Sequence, residues 1–367
     1  MRGTTVITGA DGYLGRQLAA ALLADGDDDL VLAVRADDSA ELAAKKDRLA
    51  QRLGPQARSR TRVVAADLSR DDALADIDTR SVTRIVHAAA VTRFNVERDL
   101  AQRVNVDGTA RLRAFAARCD NLQRLAMLST LYAAGRRRGD VHEERLDDVG
   151  FVNHYEWSKW AAEEEVLGAA GELPVSVLRL PTLVADDDGG QVTQYNAFHN
   201  TLKLFYYGLL SLLPGDGATP LSLATASFTA SAVTRLLDPA IADGVYHICP
   251  DPADTATLDQ LVDTAFTVFE RDPGFQRRGL MRPLPCDQES FEDLLSAADL
   301  LRGGPINQSL SSVSPFAHQL YLPKTFRNDA LRAAWPGYTA PDPLALAETT
   351  CLRLIESKWG RRTQETP

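Results

Sequence analysis

Short apolar runs alternate with longer stretches of helical period along the first 250 residues. The runs are Thr4–Thr8, Leu30–Val34, Arg62–Ala66, Arg84–Ala90, Arg124–Ser129, Val175–Leu180 and, after an interval, Val245–Ile248. Leu30-Val-Leu-Ala-Val34 is continuously apolar, as a strand buried on both faces requires. Between the runs lie Ala- and Leu-rich stretches, among them Tyr13–Ala24, the amphipathic Ala101–Cys119 and Tyr155–Leu167. Strands that alternate with helices form parallel βαβ units, so the expected class is α/β with a doubly wound, Rossmann-like parallel sheet.

The pattern changes after Pro181. Asp186-Asp-Asp-Gly-Gly190 is expected to be a loop rather than a metal site. Tyr195–Leu213 reads as one helix rich in aromatic and leucine residues, halted by Pro214-Gly215-Asp216-Gly217. Core packing is the default reading of Phe198, Phe205, Tyr206, Tyr207 and Leu209. The alternative is one wall of an apolar substrate pocket. From Thr257 onward the chain reads as helical with Pro and Gly interruptions, and the tail after Trp359 is expected to fray.

The first run leads straight into a glycine-rich turn, Thr8-Gly-Ala-Asp-Gly-Tyr-Leu-Gly15. Glycines also end strands for local reasons. Here they stand between a first strand and a first helix, where backbone can approach a pyrophosphate and the helix N-terminus presents free N–H groups. Gly9, Asp11, Gly12, Tyr13, Leu14 and Gly15 are therefore the expected phosphate cradle. Arg35 closes the second strand, where an arginine accommodates a 2′-phosphate and an acidic residue a ribose 2′-OH. The expected cofactor is NADPH, with Lys45, Lys46 or Arg48 as helpers. Asp37 and Asp38 nearby keep NAD open. Asp67-Leu68 is expected on the adenine side, and Ala88, Ala89 and Ala90 offer small residues against which a cofactor can lie. His87 sits inside a strand and is better read as a packed, hydrogen-bonded histidine than as a base. Residues 1–185 are accordingly expected to form the dinucleotide-binding domain, to which 223–250 returns. Residues 186–222 and 251–360 would form a smaller, mostly helical substrate-binding region.

Tyr155 and Lys159 are four apart on an expected helix and share a face. A phenol of pKa ~10 is a poor acid at neutral pH. A neighbouring ammonium favours the phenolate and brings it nearer the useful range. Ser129-Thr130 leaves the carboxyl end of the fifth strand, the edge at which open α/β sheets bind ligands. A hydroxyl there can donate to a carbonyl oxygen that is accepting hydride.

Composition narrows the partners. A net charge of −10 argues against nucleic acid or an anionic membrane surface. No leader segment and no apolar run of spanning length is read in the sequence. The four cysteines (Cys119, Cys249, Cys286, Cys351) have neither metal nor redox spacing and are expected to be free thiols, consistent with a cytoplasmic protein.

Taken together, Thr8-Gly-Ala-Asp-Gly-Tyr-Leu-Gly, Asp67-Leu68, His87-Ala-Ala-Ala, Asn105-Val-Asp-Gly-Thr, Ser129-Thr130 and Tyr155-x-x-x-Lys159 resemble the extended short-chain dehydrogenase/reductase superfamily. His87-Ala-Ala-Ala-Val-Thr-Arg-Phe-Asn95 and Asn153-His-Tyr-Glu-Trp-Ser-Lys-Trp-Ala-Ala-Glu163 are similar to its fatty acyl-CoA and carboxyl-thioester reductase branch. The resemblance covers residues 4 to about 184 and is thin beyond. It implies Thr130, or Ser129 beside it, as the group polarising the carbonyl, Tyr155 as proton donor and Lys159 as support for the phenol and ribose. Asn105 would support the lysine and Pro181 would flank the cofactor. It further implies a small-molecule acyl thioester, or its aldehyde or ketone, brought on CoA or a separate acyl-carrier protein to a monomer or homodimer. Two stretches depart from the pattern. Leu183-Val-Ala-Asp-Asp-Asp replaces a glycine-rich continuation after the sixth strand, and Ser222–Ala232 lacks an expected aspartate. Two other readings remain at this stage: an NAD-dependent sugar-nucleotide or sterol-type dehydrogenase or epimerase, and a dinucleotide sensor without catalysis. Arg35 and the apolar helix weigh against the sugar version, and the intact Thr130/Tyr155/Lys159 set against the sensor.

Overall fold

The computed structural model describes residues 3–300, 314 and 316–360. Seven parallel strands form one sheet: β1 (Thr4–Thr8), β2 (Asp29–Val34), β3 (Thr61–Ala65), β4 (Val82–His87), β5 (Arg124–Thr130), β7 (Val175–Leu180) and β12 (Gly244–His247). Their spatial order is β12-β7-β5-β4-β1-β2-β3. The order reverses between β1 and β4, which opens a crevice at the carboxyl ends of these strands. A three-residue β6 (Gly139–Val141) lies outside this sheet, paired in parallel with β15 (Lys324–Phe326).

Side chains on successive strand residues point to opposite faces. Val6 packs with Leu112, Phe115, Ala162 and Val166 on one face, while Ile7 packs with Leu18, Leu22, Phe228 and Val233 on the other. Helices α4 (Asp107–Ala116) and α5 (His154–Leu167) cover the first face; α1 (Tyr13–Asp25) and α7 (Ala226–Leu236) cover the second. Full burial on both sides is the reason the strands read as continuous apolar runs. After residue 223 the chain passes through α7 to β12, which pairs in register with β7 from Gly244↔Ser176 to His247↔Arg179. A third apolar core unites α6 (Ala197–Tyr207), α8 (Leu258–Phe269) and the helix Pro343–Glu356.

Two elements differ from the sequence expectation. The helix read over Ala101–Cys119 begins as Arg98–Ala101, passes through a π turn at Gln102–Val106 and continues as α4. Asn105 lies in that turn. Its amide holds both backbone groups of Val91 (2.8 and 3.0 Å) and the Ser158 hydroxyl (2.9 Å), anchors that a regular helical ladder would have to forgo. The helix read over Tyr195–Leu213 covers only Ala197–Tyr207. Gly208 ends it in the left-handed conformation (φ 69°), and Leu212–Pro214 forms a short strand instead. Phe198, Phe205 and Tyr206 belong to the third core, whereas Tyr207 and Leu209 are exposed; Phe198 and Ala197 alone of this helix border the cavity described below. The tail after Trp359 falls, from residue 361, outside the described residues.

The sheet and α5 are joined by a buried ion pair. Arg179 on β7 and Glu163 on α5 are 0 % and 1 % exposed, and the guanidinium donates to both carboxylate oxygens at 2.7–3.1 Å. Removing one member leaves an uncompensated buried charge. We expect Arg179→Met to cost about 3–5 kcal/mol in a denaturant titration, and Arg179→Met with Glu163→Met to recover much of it.

Candidate active site

The glycine-rich turn is built by close approach. Gly9 has φ +66°, and a Cβ there would lie 2.8 Å from Ala89 Cα, so the turn presses against the residues that follow β4. At Gly15 a Cβ would overlap the Gly9 carbonyl oxygen. Gly12, in extended conformation, starts α1 without a side-chain cap, which leaves the first N–H groups of the helix free to meet an anion. The residues present thus fit a dinucleotide pyrophosphate. The Thr8 hydroxyl stands 2.8 Å from His87 Nδ1, and Thr109 Oγ1 stands 2.9 Å from its Nε2. Burial, aided by the Lys159 charge, pushes the His87 imidazole down to about 3, so it stays neutral. His87 is a packed residue.

A cavity of about 400 Å³ opens at the carboxyl ends of β1, β4, β5 and β7. This size is ordinary for a small-molecule site. Gly9, Gly12, Tyr13, Leu14, Gly15, Ala88, Ala90, Ser129, Thr130, Tyr155, Lys159 and Pro181, all named from the sequence, line it. Asp11, Arg35, Arg48, Asp67, Leu68, Ala89 and Asn105 do not. Arg35 follows β2 with its side chain 69 % exposed and Asp37 3.5 Å away. Lys45 is engaged elsewhere, donating to the Arg35 carbonyl (2.6 Å) and to Asp11 (3.0 Å). Arg48 is exposed on the helix Ser39–Leu53. Asp67 accepts from the backbone and hydroxyl of Ser69, and Leu68 is buried against Gly108.

At the centre of the cavity wall, β5 and α5 bring the candidate catalytic groups together. Glu163 accepts from the Ser129 hydroxyl as well as from Arg179, so that hydroxyl is turned into the protein. The Thr130 hydroxyl neighbours the Tyr155 phenol, on which it acts, and accepts from the Tyr132 backbone N–H (3.2 Å). Lys159 Nζ donates to the Leu128 carbonyl at 2.7 Å. Burial lowers its amine to about 8, against the opposing pull of Glu163 one turn on. Tyr155 differs from expectation here. Burial pushes its phenol up to about 12, opposed by the neighbouring Thr130 hydroxyl, while the Lys159 ammonium is bonded to the Leu128 carbonyl instead. Asn105 also differs, since its bonds run to Val91 and Ser158 rather than to the lysine.

Several residues at the cavity had not been singled out. Glu163 extends the Tyr155/Lys159 face by one more four-residue step, a spacing visible in the sequence. Phe94, Tyr132 and Phe316 come together from three separate segments, and Phe94 links them to Tyr155; Phe94 meets both tyrosines edge to face, at 5.5 Å from Tyr155 and 5.9 Å from Tyr132. No local pattern announces that convergence. Asp186, expected in a plain loop, accepts from the Tyr13 phenol at 2.6 Å and from Thr193 at 3.0 Å. Among the described residues no group of three or more His, Cys, Asp or Glu side chains could hold a metal.

Comparison with known proteins follows the same lines. Residues 7–233 match the NAD-binding family described as Male sterility protein. The chain is 33 % identical over 210 residues to an isonitrile lipopeptide synthase of Streptomyces coeruleorubidus, covering 54 % of this chain and 14 % of that protein. It is 35 % identical over 188 residues to a 4-hydroxy-2-methyl-3-oxo-4-farnesyl-3,4-dihydroquinoline-1-oxide ketoreductase of Stigmatella aurantiaca, covering 50 % and 51 %. The chain thus spans half or less of the length of these relatives. Among solved structures, the terminal R domain of the myxalamid PKS-NRPS pathway superposes with a TM-score of 0.78 at 20 % identity, over 98 % of this chain and 92 % of that one. The fold and the glycine-rich site define a nicotinamide-dinucleotide-binding protein of the extended short-chain dehydrogenase/reductase type. Within that class, the chain belongs to the Male sterility protein family.

The geometry of the turn makes a direct prediction. Gly15→Ala should weaken NAD(P)H binding at least tenfold in a fluorescence titration, because its methyl displaces the Gly9 carbonyl and with it the anion cradle.

Proposed function

We propose that this protein is an NADPH-dependent reductase of an acyl thioester, or of the aldehyde or ketone derived from one. One observation carries the reading: the neighbouring Thr130 and Tyr155 hydroxyls face a cavity with a glycine-rich anion cradle at one side and an aromatic wall at the other. The dinucleotide, when bound, supplies the hydride to the carbonyl carbon. Thr130 and Tyr155 orient the carbonyl oxygen and stabilise the charge that develops on it. Tyr155 then gives up its proton to that oxygen. With a thioester, the hemithioacetal expels the thiol and leaves an aldehyde.

Ser129 is committed to Glu163, so Thr130 is the hydroxyl we assign to the carbonyl. The Lys159 ammonium, fixed by the Leu128 carbonyl, has two further protons for the ribose, and its charge opposes the rise of the phenol once ligands bridge the two groups. Asn105 is assigned to holding the Val91 segment beside the cofactor site. Asp67 and Leu68 would flank the adenine, Pro181 the nicotinamide side, and Arg35 with Arg48 the 2′-phosphate. Residues 186–222 and the described residues of 251–360 would cover the acyl group, delivered on CoA or a carrier protein; 301–313 and 315 lie outside the described residues. The similarity to a ketoreductase and to the terminal R domain of a PKS-NRPS pathway supports reduction of a carbonyl group. The apolar wall of Phe94, Tyr132, Phe198 and Phe316 disfavours a sugar nucleotide.

Four measurements test this. NADPH and NADH oxidation, followed with acyl thioesters and the matching aldehydes, should show turnover with NADPH; retained NAD and silence on all carbonyl substrates would instead favour the epimerase reading. Tyr155→Phe should lower kcat by about 10²–10⁴-fold with NADPH affinity nearly unchanged, and Arg35→Ala should weaken NADPH about tenfold or more while sparing NADH. The Lys159 amine is charged below about 8 and neutral above, so kcat/KM should fall as pH rises through that value.

A further inference from the structure

The aromatic end of the cavity is a partition with a charged group behind it. Thr92 and Gln194 are exposed lining residues and mark the mouth; Tyr155, Phe198 and Phe316 are buried and mark the depth. At the deep end the Tyr132 ring packs edge to face on Phe94 and on Phe316 (6.2 Å), and its hydroxyl is 3.1 Å from Thr182 Oγ1. Tyr132, Pro181 and Thr182 line this cavity and also a second, much smaller one of about 30 Å³. The small cavity is bordered by Lys324, Gln319 and Thr219.

Lys324 is only 5 % exposed. Its ammonium donates to the Gln319 amide oxygen at 2.6 Å and the Leu322 carbonyl at 3.2 Å, while the Glu156 carboxylate acts on it through space. An ammonium has three protons, so one donor remains beyond these two bonds. Burying a charged amine without a contacting carboxylate is costly. A hydrocarbon tail pushed against it would leave that third donor without a partner.

We propose that Tyr132 is the end wall of the acyl site and restricts the protein to compact acyl groups, aromatic or short, with the compartment at Lys324 lying beyond reach of an apolar chain. This rests on the reductase reading above. The thiol arm of the substrate must run to the open mouth, so the acyl group runs inward from the Thr130–Tyr155 pair toward Phe94, Tyr132 and Phe316. Flat groups match edge-to-face aromatic surroundings, which favour offset and T-shaped ring contacts. A longer chain has to displace the Tyr132 ring, break its bond to Thr182 and then desolvate Lys324.

The test is kcat/KM with NADPH for N-acetylcysteamine thioesters of benzoate, butanoate, octanoate and octanedioate (one carboxylate free). The wild-type protein should prefer benzoyl and butanoyl over octanoyl by about tenfold or more, the scale on which pocket size discriminates. Tyr132→Phe keeps the ring and should keep that order. Tyr132→Ala joins the two cavities and should raise the carboxylate-ended substrate more than octanoyl, because Lys324 then faces the chain end. Tyr132→Leu serves the same purpose should the alanine variant fail to fold. A wild-type preference for octanoyl, or a chain-length order unchanged in both Tyr132→Ala and Tyr132→Leu, overturns the inference while leaving the reductase reading intact. Absence of turnover with every thioester and every matching aldehyde overturns the reductase reading, and the inference with it.

Discussion

The buried contact between Arg179 and Glu163 is the constraint on which the site depends. It ties β7 to α5, and through the Ser129 hydroxyl it also reaches the end of β5. Three elements that meet at the sheet edge are thereby fixed against one another. Arg179 donates further to the Glu144 carbonyl, and its Nη1 lies 3.2 Å from His247 Nε2 on β12. Low dielectric strengthens each of these bonds and makes each costly to lose. Two consecutive hydroxyls at a strand end point to opposite sides, so committing Ser129 inward leaves Thr130 toward the cavity. The division of labour between them follows from packing.

The two halves of the cavity obey different physics. On the glycine side, backbone must come close to backbone, and side chains are excluded. On the aromatic side, rings from distant segments fill space and hold the Tyr155 phenol in a dry setting that keeps it protonated. A protonated phenol beside a hydroxyl is suited to giving a proton to an oxygen that gains charge, whereas a free phenolate would not be. The lysine one turn along the helix is likewise buried, and its partner is a carbonyl oxygen of the sheet. Ligand groups are needed to join these parts electrically.

Much of this was legible in the sequence. Runs such as Leu30–Val34 reveal strands because burial on both faces demands unbroken apolar residues, and glycines in the first turn reveal close approach because nothing larger fits. Tyr155 and Lys159 are readable because both lie on one helix. Tyr132, Phe94 and Phe316 were not, since their meeting is set by tertiary packing and each is unremarkable in its own segment. Lys324 is hidden for the same reason, on a three-residue strand too short to leave a periodic signal. The Tyr195–Leu213 segment was overextended because composition favours helix to its end, while Gly208 turns the backbone left-handed and stops it earlier. Asn105 was given the wrong neighbour because sequence spacing does not report a π turn.

That π turn also sets a reading frame within the helix. One residue more than the regular ladder needs is accommodated between Gln102 and Val106, and each residue of an α-helix advances the side-chain direction by roughly 100°. Substitutions in the turn alter single contacts. Loss of one residue there would instead re-phase everything on its amino-terminal side against Asp107–Ala116. The segment is therefore tolerant of chemistry in places and intolerant of length. Its register keeps Asn105 on Val91 and Ser158 while Thr109, four residues on, stays with His87.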